Sequence, residues 1–112
     1  MDVVVRGPAG AERRVSAGVD TGFTGALTLP STLVRELSLA YLIEQRALLA
    51  DGREVVVNVH EATVVWDGRA RQVRVLATGG TPLVGMALLH GYELSMQVVT
   101  GGAVRIAELR IT

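Results

Sequence analysis

The sequence predicts an all-β domain, on three observations. Turn signals recur at short intervals: Gly7-Pro8-Ala9-Gly10, Asp51-Gly52, Asp67-Gly68, Thr78-Gly79-Gly80-Thr81-Pro82 and Thr100-Gly101-Gly102. The runs between them are rich in Val and Leu, residues that fit a pleated, half-buried surface. Asp-Gly flanked by such residues is a hairpin signal, because glycine supplies the positive φ that a tight primed turn demands. Short strands at regular spacing then indicate a sandwich or a barrel.

Taken in order, strands are expected near 2–6, 11–19, 26–29, 41–50, 53–66, 69–77, 83–84, 92–99 and 103–110. In the sixth, Arg71, Val73, Val75 and Ala77 alternate with Gln72, Arg74 and Leu76. The run Val55-Val56-Val57 is apolar on both faces and predicts a strand buried on both sides. Two short helices are expected. One follows Pro30, with Ser31 as its cap and Arg35 and Glu36 in the polar stripe of Leu33–Leu37. The other is Met86–His90, ended by Gly91. No linker, repeat or charge run interrupts the chain, so residues 1–112 are read as one domain.

Composition excludes several function classes. The chain has 112 residues, 49% of them hydrophobic and 20% charged, which suits a packed core and not a disordered tail. Eleven basic residues, all of them Arg, cancel eleven acidic ones, which leaves no electrostatic drive toward nucleic acid or anionic lipid. There is no cysteine, so thiolate catalysis and cysteine-based metal sites are out. His60 and His90 are the two histidines and have no neighbours at ligand spacing, so no metal is expected. No apolar run reaches the ~18 residues of a membrane span, and no signal peptide is visible, so the expected location is cytoplasmic. Mean hydropathy is nevertheless high at +0.38, which fits a chain that buries surface against a partner. Met86 and Met96 are expected in the core, Trp66 to pack a strand end, and Arg69, Arg71 and Arg74 to form a solvated strand face.

The stretch that carries chemistry is Val19-Asp20-Thr21-Gly22-Phe23-Thr24-Gly25. A carboxylate stands at the end of an apolar strand, and two glycines bracket a tight turn. Glycine lets backbone approach backbone or substrate closely. A loop carboxylate beside a β core is a sensible place for acid–base work. An Asp before Gly also serves as a plain turn former. A second motif lies far along the chain: Pro82-Leu83-Val84-Gly85-Met86-Ala87-Leu88-Leu89, two apolar residues and a glycine leading into a short apolar helix.

Together the two motifs, in this order, resemble the retropepsin-like (retroviral-type) aspartic proteases. Val19–Gly25 and Pro82–Leu94 look like the bacterial and cyanobacterial members. The resemblance spans nearly the whole chain. It implies a closed β-barrel with one lobe per chain, and a homodimer in which each copy supplies one catalytic Asp20. It further implies that the Thr21 hydroxyl bonds across to the partner loop and that the Gly22 N–H supports the carboxylates. Leu83, Val84 and Gly85 would back the site. Phe23 departs from the Ala or Ser of retroviral and pepsin-type enzymes, which leaves the pH optimum open. The family closes its cleft with a hairpin flap, here expected around Ala50, Asp51 and Gly52.

The implied activity is an aspartic endopeptidase acting on peptide or protein substrates, without metal or cofactor. A single Asp-Thr-Gly per chain accords with it, because two carboxylates sharing one proton need a second copy, and a two-fold axis brings the same residue to both sides. The rival readings are a retropepsin-like dimerisation or peptide-binding module with weak or absent catalysis, and a small barrel subunit in which Asp20 only forms a turn.

Overall fold

The computed structural model describes residues 1–48 and 51–109. Ten strands and two short helices follow one another as β1 (Asp2–Arg6), β2 (Glu12–Ser16), β3 (Gly18–Val19), β4 (Leu27–Pro30), α1 (Ser31–Glu36), β5 (Ala40–Leu48), β6 (Glu54–Trp66), β7 (Arg69–Thr78), β8 (Leu83–Val84), α2 (Met86–Leu89), β9 (Tyr92–Met96) and β10 (Val104–Glu108). No helix among the described residues is long and apolar enough to cross a membrane.

Hairpins set most of this order. Asp67 and Gly68 both have positive φ, 52° and 70°, the requirement of a two-residue primed turn, and they join β6 to β7 with Trp66 opposite Arg69. Antiparallel pairing then runs from Trp66–Arg69 to Asn58–Ala77. β5 pairs with the first part of β6, from Leu48–Glu54 to Ala40–Glu61, with a register shift between Tyr41 and Ile43. β1 takes the same edge of β6 further on, at Thr63–Val65.

Two pairings are parallel. β4 runs alongside β7, and β3 alongside β8. Strands pair in the order β2-β1-β6-β7-β4-β8-β3, with β5 beside β6. The ladder is open among the described residues, where a closed barrel was expected. It is curled all the same. A flat path of this many strands would part β2 from β3 by about 29 Å. Only Ala17 stands between Ser16 and Gly18, a reach of about 7 Å. The expected single strand 11–19 is therefore two short ones. Its first part pairs with β1, its second with β8, and the buried Ala17 marks the change of partner.

Val3, Val5, Leu27, Val75, Val84 and Leu88 are buried at the centre, each 1% exposed or less. Fully burying an aliphatic side chain is worth about 1.5–3 kcal/mol. That burial holds α2, whose four residues are far too few for a helix to stand alone. Gly91 follows with φ 91° and turns the chain into β9.

Four expectations are corrected. Ser31 is the first helical residue of α1 and makes no capping bond; Pro30 holds the cap position with φ −58°. Val55–Val57 is not buried on both sides, since Val56 is 61% exposed. A hairpin arm has neighbours on one face only, and here Val55 and Val57 take that face. Met96 is 51% exposed and lies outside the core, whereas Met86 packs against it. β9 stops at Met96, because Gln97–Gly102 form a turn in which the Gly102 N–H donates to the Val99 carbonyl at 2.9 Å.

The β9–β10 hairpin forms its own two-stranded sheet and is fastened to the β6–β7 turn by side chains. Trp66 lies 4.5 Å from Tyr92, centroid to centroid, and the Tyr92 hydroxyl donates to Asp67 at 3.1 Å. Arg69 pairs with Glu108 at 2.6 Å. Of the expected arginine face, Arg71 instead turns inward and donates to the Leu88 carbonyl.

Candidate active site

β3 delivers Asp20 to the mouth of a loop. The Asp20 N–H donates to the Val84 carbonyl at 2.9 Å, which carries the parallel β3–β8 pairing one residue further. The Asp20 carbonyl accepts the Phe23 N–H at 3.1 Å, and Asp20 Oδ1 accepts the Gly22 N–H at 2.9 Å. Residues 20–23 are thus a turn closed by both backbone and side chain, the double closure that makes Asp a favoured turn residue. Asp20 is half-buried, and Thr21 and Gly22 are exposed.

The second motif lies directly behind this loop. The Gly85 N–H donates to Ala26 O at 3.0 Å, Met86 N–H to Phe23 O at 2.8 Å and Ala87 N–H to Gly25 O at 3.1 Å. The first N–H groups of a helix have no partner within it. At α2 the carbonyls of the Asp20 loop satisfy them. A Cβ on Gly85 would collide with the Gly25 carbonyl and stand 2.6 Å from that of Phe23, so only glycine permits this approach. Val84 is fully buried, and the Leu83 N–H donates to Thr28 Oγ1 at 3.0 Å. Leu83, Val84 and Gly85 support the loop from beneath and do not line the opening in front of it.

That opening is a cleft of about 680 Å³. Gly22, Phe23 and Thr24 form one side, residues 76–79 at the end of β7 another, and the arms of the β5–β6 hairpin a third, through Ala47, Leu48 and residues 55–57. Among the described residues no charged side chain lines it.

The hairpin tip lies beyond the cleft lining. Of the expected flap residues, Ala50 lies outside the described residues, and Asp51 and Gly52 are exposed. Gly52 has φ 87°, a conformation that suits glycine. Asp51 bonds back to its own turn: Oδ1 accepts the Arg53 N–H at 3.0 Å, and Oδ2 pairs with Arg53 Nε at 2.7 Å. The Arg53 N–H first, then its guanidinium, hold the Asp51 carboxyl below the usual carboxylate range. The hairpin therefore meets the cleft through its apolar arms.

Thr28, Leu76 and Thr78 belong to this site and were not among the residues singled out from the sequence. Thr28 carries a signal of its own, a lone hydroxyl within the apolar run Leu27–Leu29. Leu76 and Thr78 carry none, because they reach the site through the parallel β4–β7 pairing. His60 serves structure: its Nδ1 lies 3.2 Å from the Leu39 carbonyl, and its ring meets Tyr41 edge-on.

No known family profile and no curated protein matches this sequence. Among solved structures, EIAV protease in complex with the inhibitor HBY-793 is similar in fold. The two share 17% identity with a TM-score of 0.57, over 80% of this chain and 82% of the other. At that identity the likeness is one of architecture, and the chain has a retropepsin-like fold.

Proposed function

We propose that the chain is a homodimeric aspartic endopeptidase whose active site combines two Asp20 carboxylates, one from each copy. The observation that carries this reading is the loop itself. Asp20 stands on a turn stapled from behind by three N–H groups, beside an apolar cleft bounded by a hairpin. One carboxylate per chain is half of the chemistry, and a two-fold axis supplies the other half. The exposed Met96, Val98, Val99, Val104 and Leu109 offer apolar surface for such pairing. The assignment to the bacterial and cyanobacterial subgroup rests on the residues of the two motifs.

In the reaction, one Asp20 carboxylate takes a proton from a water held between the pair. The other, protonated, donates a hydrogen bond to the scissile carbonyl. Water adds to that carbon, and proton transfer to the amide nitrogen releases the amine. An extended peptide lies between loop and hairpin, its side chains alternating between opposite walls. The uncharged lining favours apolar or neutral side chains there.

The test is cleavage of a peptide library at about pH 4–6, the acid range in which a proton-sharing carboxylate pair works. Hydrolysis is expected, with inhibition by a statine-type compound and loss in Asp20→Asn. Full hydrolysis by Asp20→Asn would overturn the reading.

A further inference from the structure

The Phe23 side chain belongs to neither motif as a reacting group, yet Phe23 is engaged through both its backbone and its ring. Its N–H donates to the Asp20 carbonyl at 3.1 Å, and its own carbonyl accepts the Met86 N–H at 2.8 Å. Its ring lies over both glycines that hold the loop. A Cβ built on Gly25 would lie 2.6 Å from ring atoms Cε1 and Cζ, and one built on Gly85 would lie 2.5 Å from Cδ2. The ring thus fills the space left by two missing side chains, one in each motif. Its remaining surface faces the cleft, beside Leu76. We infer that Phe23 is a positioning residue: an aromatic wedge that clamps the Asp20 loop onto the 84–87 segment and sets the direction of the Asp20 carboxylate. The inference deepens the endopeptidase reading and rests on it for its catalytic consequence, while its structural half stands alone.

Residues 20–25 include two glycines and have many conformations available to them. Three backbone bonds to α2 select one of them, but each is worth little net against the same groups bonded to water in an opened loop. A ring packed against both glycines excludes that water and removes the alternatives. Small displacements of a reacting group are costly: about 1 Å is enough for a loss of about a hundredfold in rate.

Two variants test it. Phe23→Ala removes the wedge; Phe23→Leu keeps branched atoms near Gly85 but lacks those that cover Gly25. The first readout is amide hydrogen exchange on the full chain, which does not depend on activity. In Phe23→Ala, protection of the Met86 and Ala87 N–H groups is expected to fall at least about tenfold, with the β6–β7 amides of Val59 and Val75 unchanged, the pattern of local opening. In Phe23→Leu, Ala87 loses protection while Met86 largely keeps it. Unchanged protection, or a uniform loss across the whole chain, overturns the inference. The second readout is peptide hydrolysis, where kcat is expected to fall about a hundredfold in Phe23→Ala with KM within about threefold, and partial recovery in Phe23→Leu. A rise in KM with kcat retained overturns the positioning role. A wild-type chain that cleaves no peptide sinks the endopeptidase reading instead, and the exchange experiment still decides whether Phe23 clamps the loop.

Discussion

Gly85 and Gly22 look alike in the two motifs but answer to different constraints. At Gly85 a methyl group would run into the Gly25 and Phe23 carbonyls, both of them backbone and unable to give way. Gly85→Ala is expected to cost about 1–3 kcal/mol of stability, the range for overpacking a tight interior, and a thermal melt reads it. At Gly22 the nearest atom to a built Cβ is Asp20 Oδ1 at 3.4 Å, an ordinary contact. Gly22→Ala should melt within about 0.5 kcal/mol of the parent, as surface changes do. It also places a methyl group in the cleft, so peptide hydrolysis should still fall. Equal loss of stability in both variants would contradict this assignment of their roles. The placement of both glycines around Asp20 was legible in the sequence as motifs. The role of Phe23 was not, because its partners Gly25 and Gly85 become neighbours only when the chain has folded.

Among the elements, β9–β10 is the one most dependent on side-chain ties. A lone two-stranded hairpin is marginal in water. The Trp66–Tyr92 contact and the Tyr92–Asp67 bond hold this one to the body. Partial burial first, and then the bond to Asp67, raise the Tyr92 hydroxyl above its ordinary value. A raised value means that folding favours the protonated form. The contribution is complete below the unfolded value and disappears as pH rises through the folded one. Alkaline titration should therefore loosen β9–β10 before the rest, and Tyr92→Phe should remove that step. The fluorescence of Trp66, the single tryptophan, reports both. An identical alkaline transition in Tyr92→Phe would show that the tie is not responsible. At this scale the hairpins were legible because Asp67-Gly68 and Asp51-Gly52 encode their own turns. The division of 11–19 into β2 and β3 was not, since Ala17 changes partner strands without any local signal. Val55–Val57 read as doubly buried because apolar composition does not reveal that one face of a hairpin arm has no neighbour.

For the molecule as a whole, the proposed endopeptidase makes pairing of copies a condition of the chemistry. If two chains complete one site, specific activity must depend on protein concentration, because dilution separates the carboxylates. Hydrolysis per chain is expected to fall on dilution below the dimer dissociation constant and to recover on reconcentration, in step with the mass measured by sedimentation. Specific activity independent of concentration in a strictly monomeric species would refute the shared site. The single Asp-Thr-Gly in the sequence is what raises the expectation of a second copy. The sequence did not disclose the strand order, because both parallel pairings join segments far apart along the chain and no local pattern specifies them.

The staple between residues 23–26 and 85–87 also orders events in time. Segments so widely separated close late, after the intervening strands have formed. While the chain is being made, the acid-bearing turn must wait for its support to leave the ribosome. A nascent chain ending before Val84 would carry every atom of Asp-Thr-Gly without the scaffold that shapes it. The Asp20 loop would thereby lack its supports until residues 84–87 have been made.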